Sequence, residues 1–214
     1  MKHLKILALA AVATGALMAF IGAGTASATV ICSTTADPCP AGQAWPNGTA
    51  VDWSIPAGQS IGKVDTSGNT LNTCTGSTIK GKITDTGSAT TTVTIVIEET
   101  TFTGCTFTTK TVSTGNKLKV HKIAGTSNGT VTSDSQIEVT INTGLFGSCI
   151  YGMATTQDIG TISEGISTNS TLTLNGVTTR LGSNFACPAT ARSTATYVLT
   201  TPSATTLSVS ESGS

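Results

Sequence analysis

Apolar side chains recur at every second position over most of the chain. Val51, Trp53 and Ile55 alternate with Asp52 and Ser54, and Ile137, Val139 and Ile141 alternate with Gln136, Glu138 and Thr140. Val93, Ile95 and Ile97 alternate with Thr92, Thr94 and Glu98, with Val96 also apolar, the pattern of a strand covered on both faces. Cys149, Tyr151 and Met153 share one parity, as do Leu172 and Leu174, while Ala195, Tyr197 and Leu199 oppose Thr196 and Val198. Between these runs stand turn signals: Ser67-Gly68-Asn69, Thr114-Gly115-Asn116, Asn128-Gly129 and Asn175-Gly176. Asn and Gly tolerate the positive φ of tight hairpins, so each is expected to reverse the chain. Beyond the N-terminal segment no window keeps apolar residues at helical spacing. The pattern predicts an all-β fold, an antiparallel β-sandwich (Ig-like or jelly-roll-like) or an open barrel.

The N-terminus follows other rules. Lys2 and Lys5 precede an apolar run from Ile6 to about Ile21, and the segment ends Gly24-Thr25-Ala26-Ser27-Ala28. Basic, apolar and small-residue regions in that order read as a Sec signal peptide over residues 1–28, with cleavage after Ala28. A retained membrane anchor is the rival reading, and the small residues favour removal. The rest divides into a Pro- and Gly-rich loop over 29–49 clasped by its own cysteines, a single β domain over 50–210 and a flexible tail over 211–214.

Removal of the signal leaves nine basic and eleven acidic side chains, a net charge of about −2. That balance gives no pull on nucleic acid, and membrane contact is expected only through the uncleaved signal. Aromatics make up 4% of the chain and Thr about a fifth, so Val, Ile and Leu must build the core while β-branched Thr covers strand faces. Export to an oxidising compartment sets six cysteines to pairing. Fifteen connectivities are available; the sequential scheme, Cys32–Cys39, Cys74–Cys105 and Cys149–Cys187, is the one expected. The spacings contain no C-x-x-C, so no metal site is expected and no cofactor motif is present.

Chemistry is sparse. Gly58-Gln59-Ser60-Ile61-Gly62 matches G-x-S-x-G, but no helix pattern follows it, and His121 is the one histidine after signal removal. A turn between strands is the expected reading. Glycoside hydrolysis needs two facing carboxylates, and the Asp and Glu residues are scattered near turns. Lys80, Lys82, Lys110, Lys117, Lys119, His121 and Lys122 gather basic charge into residues 80–122, as a protected edge strand or an acidic-glycan contact. Trp45 and Trp53 could stack on a sugar if exposed, although the alternation around Trp53 points it into the core. The candidate ligand surface is therefore Trp45, Trp53, Lys80, Lys82, Lys119, His121 and Lys122. Sequons begin at Asn47, Asn128 and Asn169, and in so Thr-rich a chain they read as chance matches.

The signal MKHLKILALAAV…ASATVIC, Cys39-Pro40-Ala41-Gly42, Thr73-Cys74-Thr75-Gly76-Ser77, Thr101-Phe102-Thr103-Gly104-Cys105, Ile123 to Val131 and Thr196-Tyr197-Val198-Leu199-Thr200 carry a resemblance. The chain resembles a family of uncharacterised secreted actinobacterial proteins. The resemblance implies export and cysteines at these positions, and it brings no activity. The expectation is a secreted or envelope-associated, non-enzymatic binding or structural module whose partner is a cell-wall glycan or envelope protein. A secreted hydrolase of polysaccharide or ester bonds is the alternative.

Overall fold

The computed structural model describes residues 28–88, 91–111, 115–165, 169–203 and 205–212. The segment expected to be an export signal falls outside them apart from Ala28, as do Thr114 and the last two residues. Fourteen strands are described: β1 (Thr29–Cys32), β2 (Ala50–Ser54), β3 (Ile61–Asp65), β4 (Thr70–Ser88), β5 (Thr91–Cys105), β6 (Thr108–Thr111), β7 (Lys117–Lys122), β8 (Gly129–Ser133), β9 (Ile137–Asn142), β10 (Ser148–Met153), β11 (Asp158–Ser163), β12 (Thr171–Arg180), β13 (Thr190–Thr201) and β14 (Ser208–Glu211). A 3₁₀ turn at Gly144–Phe146 is the sole helical element among the described residues.

Antiparallel pairing closes eight strands into a ring, β2–β4–β5–β7–β8–β11–β12–β13 and back to β2. The pairing of β2 with both β13 and β4 removes the edge an open barrel would keep, and with it a template for aggregation. The predicted parity holds: Val51, Trp53, Val93, Ile95, Ile97, Leu172, Tyr197 and Leu199 all turn inward and are buried, while Thr lines the outer positions. Tyr197 donates to Ser77 Oγ at 2.9 Å, and burial pushes its phenol up to about 12.

Below the ring the wall continues. β2 and β3 lie end to end between the same neighbours, β4 and β13, with the Pro56–Gln59 turn interrupting them. β10 joins β12 at Tyr151 and Gly152, and β9 and β6 extend the sheet from there. Asn72 closes the gap between β4 and β6: its side chain accepts from Phe107 N and donates to Phe107 O and Thr109 Oγ1.

One end of the ring is capped. β1 pairs with β14 from the far end of the chain, Thr29 opposite Glu211, and Ile31, Leu207 and Val209 enter the core. The cap sits so close to β4 that a Cβ on Gly87 would lie 1.8 Å from Thr29 O, and Gly87 also holds a φ of +79°. The loop reading for 29–49 is thus corrected at its start, which is a strand. The tail reading is corrected at Glu211, which is paired, and at Ser212, which bridges to Cys39. Thr29–Cys32 is buried on both faces and lacks alternation, so local pattern hides it.

An ion cluster pins the cap. Lys122 Nζ contacts Asp37 Oδ2 and lies 3.3 Å from Glu211 Oε1. Partial burial draws the Asp37 carboxyl upward, but Lys122, the Glu211 N–H and the Ser210 hydroxyl outweigh it and hold it below the usual carboxylate range. Burial likewise draws Lys122 down, and Asp37 and Glu211 outweigh it and raise it. A lowered carboxylate stabilises above its unfolded pKa and loses that contribution as pH falls through the folded value. A raised lysine contributes below its unfolded pKa and loses that as pH rises through the folded value. The cap is therefore expected to loosen first at the acid and alkaline extremes. Amide exchange in β1 and β14 should rise there before that of β5 and β12, and uniform loss of protection would contradict the clasp.

The three disulfides are Cys32–Cys39, Cys74–Cys105 and Cys149–Cys187, with no cysteine left unpaired. Full pairing of six cysteines is the mark of an oxidising environment. Among the described residues no helix is long and apolar enough to cross a membrane.

Two turn signals act differently from expectation. Asn175-Gly176 lies inside β12, where a Cβ on Gly176 would meet Met153 Sδ at 2.8 Å; the glycine serves close approach and makes no turn. The reversal near Asn128 is the Ile123–Asn128 loop, closed by Ile123 N donating to Asn128 O at 2.9 Å, and Gly129 heads β8. Ser67-Gly68-Asn69 does reverse the chain, with the Asp65 carboxylate accepting from the N–H groups of Ser67 and Asn69 at 2.8 Å each.

Candidate functional site

The end of the molecule remote from the cap has a different character. Here the 3₁₀ turn between β9 and β10 and the loop between β12 and β13 project side by side. Neither Thr143–Ser148 nor the stretch from Leu181 to Pro188 contains a charged residue. Leu145 is fully exposed, Phe185 is 91% exposed and Phe146 is 72% exposed, with Phe107 beside them at the β5–β6 turn. Beneath the rim lies an apolar slot of about 320 Å³, lined among others by Leu71, Phe107, Ile141, Phe146, Tyr151 and Pro188. That volume is at the lower end of the range for ligand pockets.

Covalent and hydrogen bonds fix these loops. Cys149–Cys187 ties β10 to the β12–β13 loop. Asn184 Nδ2 donates to Phe146 O at 2.7 Å and Ser148 O at 3.3 Å, joining the two projections. Arg180 Nη1 donates to Asn184 O at 2.8 Å and to Cys187 O, and its guanidinium carbon lies 5.9 Å from the Phe185 ring centroid. Thr143 Oγ1 donates to Gly147 O at 2.6 Å, closing the turn. The apolar groups are thus presented on a pre-organised frame, at low entropic cost for an incoming partner.

Inside the wall, between slot and ring, one level is polar. Lys63 on β3 stands in register with Asn72 on β4 and Ser193 on β13. Lys63 is only 6% exposed; its Nζ donates to Ser193 Oγ at 2.9 Å and lies 4.7 Å from the Tyr151 ring centroid. Burial pushes its ammonium down to about 8. Unlike Lys122, whose buried ammonium meets the carboxylates of Asp37 and Glu211, Lys63 has no carboxylate beside it among the described residues.

The sequence-derived ligand surface divides. Trp45 and Trp53 are 6% and 1% exposed, so the aromatic sugar platform is corrected: both indoles belong to the core. Trp53 obeys its parity, and Trp45 is drawn in where its backbone N–H donates to Ile31 O beside the cap. Lys80, Lys82, Lys119 and His121 lie on the outer wall, whereas Lys122 shares the inward parity of Leu118 and Val120 and its side chain is buried beneath the cap. Lys80 pairs with Glu99 at 2.6 Å, Lys119 with Asp134 at 3.3 Å, and Lys122 with the cap carboxylates. Lys82 is exposed on β4, and His121 Nε2 is 3.1 Å from Thr132 Oγ1 on β8.

The serine motif does not assemble. Ser60 precedes Ile61, which pairs with Cys74 near one end of β4, whereas Val120 lies level with Thr86 near the other, through Val93. A dozen strand residues separate those levels, roughly 30–40 Å at about 3.3 Å per residue. No group of three His, Cys, Asp or Glu that could hold a metal occurs among the described residues.

Sequence reasoning passed over both the rim and Lys63. The signal for the rim was Leu145-Phe146 between glycines, an apolar pair in a turn where a soluble chain would place polar residues. Lys63 lies two residues from Ile61, so it has the parity of an inward position, but a lysine in a short strand reads as exposed. Comparison of the chain with protein families, curated proteins and solved structures finds no match.

Proposed function

We propose that the protein is an exported, non-enzymatic binding module that docks onto an envelope protein through the Phe107, Leu145, Phe146 and Phe185 rim. The observation that carries the reading is this solvent-exposed apolar tip on a disulfide-locked frame. Monomeric proteins seldom leave such side chains grouped and exposed unless something covers them. The slot beneath the tip is concave and shaped, which suits one apolar anchor side chain of a protein partner, the arrangement of an interface hot spot. A glycan would want exposed indoles and hydrogen-bonding groups, and the indoles are buried. The separation of Ser60 from His121 removes the support for ester hydrolysis by that motif.

The triple variant Leu145→Ser/Phe146→Ser/Phe185→Ser tests the proposal. These side chains are exposed, so the variant should fold with an unchanged melting temperature. Its binding to native envelope fragments should fall by about tenfold or more, the scale of losing a hot spot. Protease treatment of the envelope should abolish wild-type binding. Equal binding by the variant, or binding that survives on protein-free lipid vesicles or purified wall glycan, would overturn the reading.

A further inference from the structure

The row formed by Asn72, Lys63 and Ser193 has uneven needs. Asn72 has both amide protons engaged: Nδ2 donates to Phe107 O and Thr109 Oγ1, and Oδ1 accepts from Phe107 N. Ser193 Oγ receives one Lys63 proton and keeps its own hydroxyl proton to donate. Lys63 Nζ carries three donors. Among the described residues its contacts are Ser193 and the Tyr151 face, and no carboxylate pairs with it. A buried cation without an anion is costly, and a ring face compensates only in part. A lone water could accept a hydrogen bond from the ammonium but would not balance its charge.

Space adjoins this amine. A cavity of about 40 Å³ is lined by Lys63, Asn72, Ser193, Phe102 and Val139. It shares Ile61, Phe102, Val139 and Ser193 with a larger apolar cavity of about 90 Å³, which continues to Leu172, Leu174 and Gly176 inside the ring. Gly176 stands opposite Ser193 and lines the larger cavity. The geometry is a hydrocarbon chamber with a single cationic donor at one end.

We infer that this chamber binds a small apolar monocarboxylate, its carboxylate received by Lys63 Nζ and the Ser193 hydroxyl and its hydrocarbon body by the cavity above. Size limits the body: the larger cavity, at about 90 Å³, is smaller than the engineered apolar cavity of ~150 Å³ that takes up benzene, so a ring or chain of about six carbons is the upper limit. Charge fixes the head, since the ammonium is still largely protonated at neutral pH and offers a charge-assisted bond. The site is separate from the rim, and neither reading depends on the other.

Benzoate is the probe, with benzamide as its uncharged counterpart, titrated into the oxidised protein and followed by calorimetry and thermal melts. Benzoate should bind and raise the melting temperature with concentration, and benzamide should do neither over the same range. Lys63→Met keeps the chain length and removes the charge; the variant should weaken benzoate binding by about tenfold or more. The rim triple variant should bind benzoate as the wild type does. Wild-type protein gives a readout free of any folding defect: nuclear Overhauser effects should join benzoate ring protons to methyls of Ile61, Leu172 and Leu174. No binding at millimolar benzoate, equal binding of benzamide, equal binding by folded Lys63→Met, or bound benzoate without those Overhauser effects would each overturn the inference.

Discussion

The double substitution Cys149→Ala/Cys187→Ala is expected to cost about 4 kcal/mol of stability and to abolish docking through the rim. The bond closes a loop of sequence separation 38, and on the chain-entropy model such a loop is worth about 4 kcal/mol. Both cysteines are buried, packed with Ile141, Tyr151 and Ala191 in a small cluster separate from the main core. That cluster supports the loops bearing Phe146 and Phe185, so its loss frees the two projections from each other. The control is Cys32→Ala/Cys39→Ala, whose sequence separation of 7 gives about 2–2.5 kcal/mol on the same model and leaves the rim in place. Guanidinium denaturation measures both, with envelope binding as the second readout. Equal losses from the two pairs, or retained docking by the first, would refute the argument.

Trp53→Ala should be comparably severe, at about 3–5 kcal/mol, the usual cost of emptying a buried tryptophan site. Trp53 is among the largest fully buried side chains, and it sits opposite Leu199 on β13 and Ile79 on β4. β2 is only five residues long and is the strand that closes the ring, so its hold on both neighbours leans on this one side chain. The indole Nε1 has no hydrogen-bond partner among the described residues. Trp53→Phe therefore removes an unsatisfied donor along with part of the volume, and it should cost less than half as much as alanine. Chemical denaturation midpoints distinguish the two. Equal destabilisation by Phe and Ala would show that the ring is held by something other than this packing.

These effects bear on how much could be read from residue order. Trp53, Tyr197 and Leu199 lie on the apolar parity of their strands, and they are inward. The alternation of side chains along a strand is a local property, independent of which strand lies next door. The sequential disulfide scheme also holds, helped by Cys74 and Cys105 standing opposite each other in one hairpin. Trp45 fails the expectation because it lies in an irregular stretch, where no period reports its direction. Gly176 fails because an Asn-Gly pair can serve close packing as well as a turn.

The candidate sites were hidden for a further reason. Lys63 gains meaning only beside Asn72, Ser193 and Tyr151, which come from three other strands. The rim joins Phe107, Leu145, Phe146 and Phe185 from three separate turns. Neither grouping leaves a trace in any short window, and the one visible motif, around Ser60, lies at the opposite end of β4 from the level of His121.

What the sequence by itself determined, then, is most of the strands and their inward faces, with the export segment and the sequential cysteine pairing as expectations. Each follows from spacing along one stretch of chain. The tertiary structure alone decided that the wall closes into a ring, that Thr29–Cys32 finds Ser208–Glu211 to cap it, and that the far end carries an apolar rim over a lone buried lysine. Parity fixes which face of a strand meets the core, but partner choice depends on summed packing and loop closure over the whole chain, and only the folded molecule adds those up.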